Sequence, residues 1–319
     1  MQADTRLAHF PVGFFAMVMG LSGLSLVWQK AAEVFDTPAV IGQGLLALAT
    51  LIFGVFALAY GVKWLKHPDA VRAELDHPVK LSFVPAISIS LILIGTGMAH
   101  SLPAIAETIW TVGAVAHLLL TLFIVNRWIH HQHFEINHIN PAWFIPAVGN
   151  ILVPIAGVGF GQVSASWFFF SIGVVFWLVL LTIIFYRVFF HAPLPGRLLP
   201  TLFILVAPPA AGFIGYTQLA GGLDGFARVQ VNIALFLTLL LAIQFRRFVA
   251  LPFFISFWAY SFPLAAMTVA MMVYHQLTQT PWTLWASGLL VAVTTLVIAW
   301  LAVATAKAAR AGEICVPEG

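Results

Sequence analysis

Long apolar stretches alternate with short polar breaks along the whole chain. Ten of the stretches reach or approach the roughly 20 residues that a helix needs to cross a bilayer. They fall at 11–29, 39–62, 80–99, 103–126, 141–160, 165–189, 198–219, 226–245, 252–275 and 281–305. None alternates apolar and polar residues with a period of two, which excludes a transmembrane β-barrel. The longest breaks, 63–79 and 127–140, are too short to hold a second domain, and the first could form a helix lying flat at the membrane surface. The apolar run after His9 lacks a small-x-small cleavage site, so it reads as a retained span and not as a signal peptide. The pattern predicts one all-α, polytopic membrane domain over 1–319, with polar tails at about 1–10 and 306–319.

Odd and even spans differ in kind. Prolines lie inside the odd ones, at Pro11, Pro85, Pro146, Pro154, Pro208, Pro209 and Pro263, and not inside the even ones. Small polar residues collect in the same places, at Ser22, Ser25, Ser88, Ser90, Asn150, Ser256 and Ser261. The unit is a hairpin of one broken and one smooth helix, used five times. A proline removes a backbone bond, which a membrane helix tolerates best when buried in protein or lining a cavity. The odd spans are therefore expected inside and the even spans outside. Pro85, Pro146, Asn150, Pro208, Ser261 and Pro263 become candidates for lining a central pore.

Composition confirms the medium. Of 319 residues 61% are hydrophobic and only 8% charged, and the mean hydropathy is +1.00. Soluble domains carry about a quarter charged residues, so a soluble enzyme, a nucleic-acid-binding module and a disordered scaffold are excluded. Ten spans place both termini on one side. That side then holds twelve of the 14 Lys and Arg residues, leaving only Lys30 and Arg228 opposite. The bias makes it the cytoplasmic side. Topology signalling alone explains such a bias. A basic inner vestibule that concentrates anions, built from Lys63, Lys66, Lys80, Arg127, Arg246 and Arg247, is the functional reading.

The span interiors hold no Asp, Glu, Lys or Arg. Ion-coupled pumps and proton relays commonly use an intramembrane ionisable group, so passive flow is the simpler expectation. His117 is the one central histidine, and its place on an even span suits hydrogen-bonded packing. His130, His131, Glu135, His133 and His138 have loose metal-ligand spacing, better explained by a loop at the headgroup level, and no metal or other cofactor is expected. Gly157, Gly159 and Gly161 do not make a dinucleotide fingerprint. Cys315 is the only cysteine, so an intrachain disulfide is impossible. No catalytic motif is present.

Four segments together resemble a known family. They are Pro11–Trp28, Arg72–Phe83, Pro141–Val148 and Trp258-Ala-Tyr-Ser-Phe-Pro263. In this order they are similar to the bacterial TehA proteins and the plant slow-type anion channels, within the tellurite-resistance/dicarboxylate transporter family. The resemblance covers nearly the whole chain. It implies five hairpins around a quasi-fivefold pore, a homotrimer with one pore per protomer, and a phenylalanine of the ninth helix closing the pore, here Phe262. It also implies that the glycine-rich first helix faces that ring through Gly13 and Ala16. A bacterial inner-membrane protein that passes inorganic or small organic anions is the expected function. The alternative is a proton-coupled carrier or exporter of C4-dicarboxylate, sulfite or tellurite-type oxyanions, and a third reading is a resistance factor without transport.

Overall fold

The computed structural model describes residues 6–130 and 134–316. His131 and His133 of the histidine cluster lie outside these residues, as do the ends of both tails. No strand occurs among the described residues. Besides a 3₁₀ turn at Ile136–His138, the described residues form twelve elements: α1 Val12–Phe35, α2 Ala39–Lys66, α3 Pro68–Asp76, α4 Lys80–Met98, α5 Pro103–His130, α6 Pro141–Gly157, α7 Val163–Phe190, α8 Leu199–Ala220, α9 Gly225–Ala242, α10 Phe245–Val249, α11 Ile255–Thr278 and α12 Pro281–Arg310. Among the described residues, nine of these elements are long and apolar enough to cross a membrane. The fifth predicted span, α6, is shorter and broken. Pro146 and Pro154 divide it into helical pieces joined by a 3₁₀ turn at Gly149–Leu152.

Each smooth helix packs on the broken one before it, in the pairs α1/α2, α4/α5, α6/α7, α8/α9 and α11/α12. The broken helices pack on one another in the order α1, α4, α6, α8, α11, and α11 returns to α1, which closes a ring of five hairpins. In the most apolar stretches of α1, α4, α8 and α11, 72–83% of residues are buried, against 17–33% for α2, α5, α7, α9 and α12. The odd spans are thus inside and the even ones outside. The outer faces end in large exposed apolar groups such as Leu58, Phe236 and Trp285, which lipid or a neighbouring protein must cover.

The prolines act differently from mid-helix kinks. Every inner segment begins with a 3₁₀ turn: Val12–Phe14, Lys80–Phe83, Pro141–Trp143, Leu199–Leu205 and Ile255–Tyr260. Pro85, Pro146, Pro208 and Pro263 then fall at the cap or within the first three residues of the following α stretch. There the missing N–H costs little, because the first N–H groups of an α-helix have no partner within it. The prolines mark a change of helical pitch in four of the five inner segments.

Small residues set the spacing between the inner and outer layers, as expected where apolar area drives little association. A Cβ on Gly113 of α5 would stand 2.8 Å from the backbone nitrogen of Ile92, and one on Gly173 of α7 would stand 2.8 Å from that of Ile151. His117 is fully buried on α5, with Nδ1 3.0 Å from Ser88 Oγ, which in turn donates to the Pro85 carbonyl at 2.8 Å.

At the far end of the ring Asp224 caps α9. Its Oδ1 accepts from the Ala227 N–H at 2.9 Å, and its Oδ2 accepts from the Tyr216 hydroxyl. The backbone bond first, and the hydroxyl second, hold this carboxyl below its usual range. A carboxyl depressed by folding adds stability above its unfolded pKa and loses it as pH falls through the folded one. Asp224→Asn keeps the cap but not the charge. It should therefore unfold at lower temperature than the parent at neutral pH, with the gap closing below the ordinary aspartate range. Scanning fluorimetry of detergent-solubilised protein across that range checks this. A gap that stays constant on acidification contradicts it.

Candidate ion pathway

Three cavities follow one another through the ring. The basal one, about 580 Å³, opens on the side where both chain ends lie, since His9 and Val316 both line it. The middle one is a chamber of about 40 Å³, and the outer one measures about 400 Å³. Residue order along the helices gives the sequence of cavities. On α1 the lining passes from Gly13 and Ala16 to Met19 and then Gly23. On α11 it passes from Ala259 to Phe262 and then Ala265. The spacing of one helical turn or little more between these levels places the chamber between the two wide spaces.

Every inner segment contributes to the chamber, through Met19, Ile89, Ile145, Pro208 and Phe262 among others, and all its lining residues are apolar. A space of this size holds about one water, and without polar partners it holds water poorly. Phe262 lines both the chamber and the outer cavity, and it is the largest side chain shared by the two. It is also half-buried between two fully packed neighbours, Ser261 and Pro263. The glycine beside its ring is Gly23, where a Cβ would come within 3.4 Å of Phe262 Cδ2 and 2.8 Å of Ala265 Cβ. Gly13 and Ala16, expected opposite the ring, line the basal cavity instead, and a Cβ on Gly13 would meet nothing within 4 Å.

The remaining candidates separate into groups. Pro208 lines the chamber. Pro85, Pro146, Asn150, Ser261 and Pro263 line none of the three spaces. They serve the packing around the pathway: Ser261 donates to the Trp258 carbonyl at 2.6 Å, and Asn150 donates to Thr121 Oγ1 and the Ala147 carbonyl. Of six proposed vestibule cations only Lys80 lines the basal cavity. Lys63 is buried, 3.1 Å from Glu74 Oε1, and donates to the Phe10 carbonyl at 2.8 Å. Arg127 is bound to Asp76 and to the Leu75 carbonyl. Lys66 is exposed at the end of α2, and Arg246 and Arg247 are exposed on α10. Lys63 and Arg127 are taken up because α3 brings Glu74 and Asp76 to them, a docking that sequence separation hides, whereas Lys66, Arg246 and Arg247 lie on outer surfaces away from the cavity.

Other lining residues went unnoticed in the sequence. Arg197 lines the basal cavity with its guanidinium 5.7 Å from the Phe254 ring. Met19, Ile89 and Ile145 complete the chamber. A local signal exists for part of this set: Ile145, Pro208 and Phe262 each stand immediately before a proline.

Electrostatics run in one direction. The starts of α1, α4 and α11, and Leu198 just before α8, line the basal cavity, so the positive ends of these backbone dipoles face it. Lys80 and Arg197 add cations there, with Glu313 as an acidic neighbour and Glu74 already matched by Lys63. The outer cavity holds Lys30 paired to Glu33 at 2.7 Å. No group of three or more His, Cys, Asp or Glu able to hold a metal is found among the described residues. The basal side of the apolar chamber therefore carries a small surplus of positive charge.

Comparison with known sequences agrees in kind. The profile of the voltage-dependent anion channel family matches residues 9–306. The S-type anion channel SLAH3 of Arabidopsis thaliana is 28% identical over 94% of this chain and 48% of its own length. The chain spans about half the length of this plant channel. A Haemophilus influenzae protein named a tellurite resistance protein TehA homolog is 26% identical over 85% of this chain and 83% of its own. A protein of Methanocaldococcus jannaschii named an uncharacterized transporter is also 26% identical, over 85% of each chain.

Proposed function

The chain belongs to the voltage-dependent anion channel family, and we propose that it conducts anions passively along the axis of its five-hairpin ring, with Phe262 closing the path. The observation that carries this reading is the position of Phe262. It lines both an apolar chamber of about 40 Å³ and a cavity of about 400 Å³, each lined by all five inner segments. A constriction of apolar side chains blocks ions by excluding water. The direction of the backbone dipoles and the basal cations support a preference for anions. The basal side is the cytoplasmic one in this reading, in agreement with its surplus of Lys and Arg. The membrane is the bacterial inner membrane and the assembly a homotrimer, both implied by the family resemblance.

A proton-coupled carrier is the competing function, and relatives named transporters keep it in view. The chamber lining contains no titratable side chain, which favours uncoupled flow. Purified protein in planar bilayers under an asymmetric chloride salt decides between the two. The reversal potential is expected to follow the anion gradient. A reversal at the proton or cation equilibrium value overturns the proposal.

A further inference from the structure

The five residues of α10 join the basal ends of α9 and α11, and their side chains divide sharply by chemistry. Phe248 turns inward and is buried, its ring edge-on to Phe203 at 5.1 Å and to Tyr260 at 5.8 Å between centroids. Phe245 and Val249 turn outward and are 65% and 63% exposed. Arg246 and Arg247 are exposed between them, and neither forms an ion pair or a side-chain hydrogen bond among the described residues. They do not line the basal cavity either.

Large exposed apolar groups beside two unpaired guanidinium groups, at the end of two membrane spans, suit the headgroup layer of a bilayer. The apolar side chains enter the acyl boundary, and the guanidinium forks meet phosphate oxygens, which they bind in pairs. We propose that Arg246 and Arg247 bind the phosphate of an anionic phospholipid, and that Phe248 carries the state of this site to Tyr260. Tyr260 ends the 3₁₀ turn of α11 and stands two residues before Phe262. Its ring also packs on Phe203 at 4.4 Å, so α10, α8 and the start of α11 share one aromatic cluster. A free phosphate ion would match the arginines and leave Phe245 and Val249 without a role. The lipid site stands on its own, while its effect on conduction rests on the channel reading.

Native mass spectrometry of the full chain with mixed phosphatidylglycerol and phosphatidylcholine tests the site. The parent should retain phosphatidylglycerol in preference, and the Arg246→Gln/Arg247→Gln double variant should retain it about tenfold less well, since each basic side chain near an anionic surface adds roughly a few-fold to binding. Equal retention by parent and double variant overturns the site. Displacement of the lipid by inorganic phosphate at equal concentration overturns the assignment to a lipid. Anion flux from liposomes with and without phosphatidylglycerol tests the coupling. The parent should respond to the lipid, and Phe248→Ala and the gentler Phe248→Leu should keep the lipid but lose the response. A response unchanged in Phe248→Leu overturns the coupling. A parent silent in both membranes is a failure of the channel reading, and retention still decides the site.

Discussion

Replacing Phe262 with alanine raises anion conductance by about tenfold to a hundredfold, each tenfold corresponding to roughly 1.4 kcal/mol off the barrier. The ring is the largest group between the chamber and the outer cavity, so its loss joins the two into one space. An ion then keeps more of its water where it formerly had to shed it, and desolvation of an ion costs several kcal/mol even after relaxation. Phe262→Leu leaves a bulky apolar group at the same place and should fall between alanine and the parent. Folding is affected less than by truncation of a core phenylalanine, because Phe262 is only half-buried and borders existing cavities. Single-channel recording in planar bilayers measures the effect directly. An alanine variant no more conductive than the parent removes Phe262 from its role, while the behaviour of the parent still tests anion conduction.

The second large effect is on stability. Glu74 sits under the start of α1, where it binds Lys63 at 3.1 Å and the Tyr60 hydroxyl at 2.9 Å, with the Val12 N–H at 3.4 Å. Lys63 is almost wholly buried. Glu74→Ala therefore leaves a buried ammonium without its counter-charge, which costs about 3–5 kcal/mol. That corresponds to a fall in unfolding temperature on the order of 10 °C for a chain of this size. Tyr60→Phe removes one hydrogen bond to a charged group and should cost about 1.5–3 kcal/mol. The double change Lys63→Met/Glu74→Leu removes both charges together and should recover most of the loss, as apolar replacements of buried pairs commonly do. Thermal unfolding of the three variants and the parent in one detergent gives the ranking. If Glu74→Ala melts with the parent, the pair does not hold the basal entrance.

Much of the architecture could be read from hydropathy and proline. Prolines confined to alternate spans marked the inner helices because buried backbone tolerates a missing N–H where lipid-facing backbone does not. Pro146 and Pro154 marked the fifth span as broken, and α6 is a run of short pieces around Gly149–Leu152. Which glycine stands beside the ring was harder to read. α1 carries Gly13, Gly20 and Gly23, and hydropathy does not say which of them meets the Phe262 ring on α11. Gly23 does, because α1 and α11 rise together from the basal side and the match depends on height. The vestibule cations were legible as a side of the membrane but not as free charges. Lys63 and Arg127 meet Glu74 and Asp76 across gaps of 11 and 51 residues, and no local pattern announces such a meeting.

The two wide cavities have a consequence for voltage. Between Ala16 in the basal cavity and Gly23 in the outer one, α1 rises by about 10 Å. The hydrocarbon core of a bilayer is about 30 Å thick. In the proposed channel, spaces open to electrolyte sustain little potential gradient, so most of the transmembrane voltage would fall across the thin septum that holds Phe262. The local field there would be roughly three times that of the intact bilayer. The two funnels together make up about two-thirds of the distance, which ions would cross almost free of the field, and a one-residue change at the septum would act where nearly all the electrical work is done.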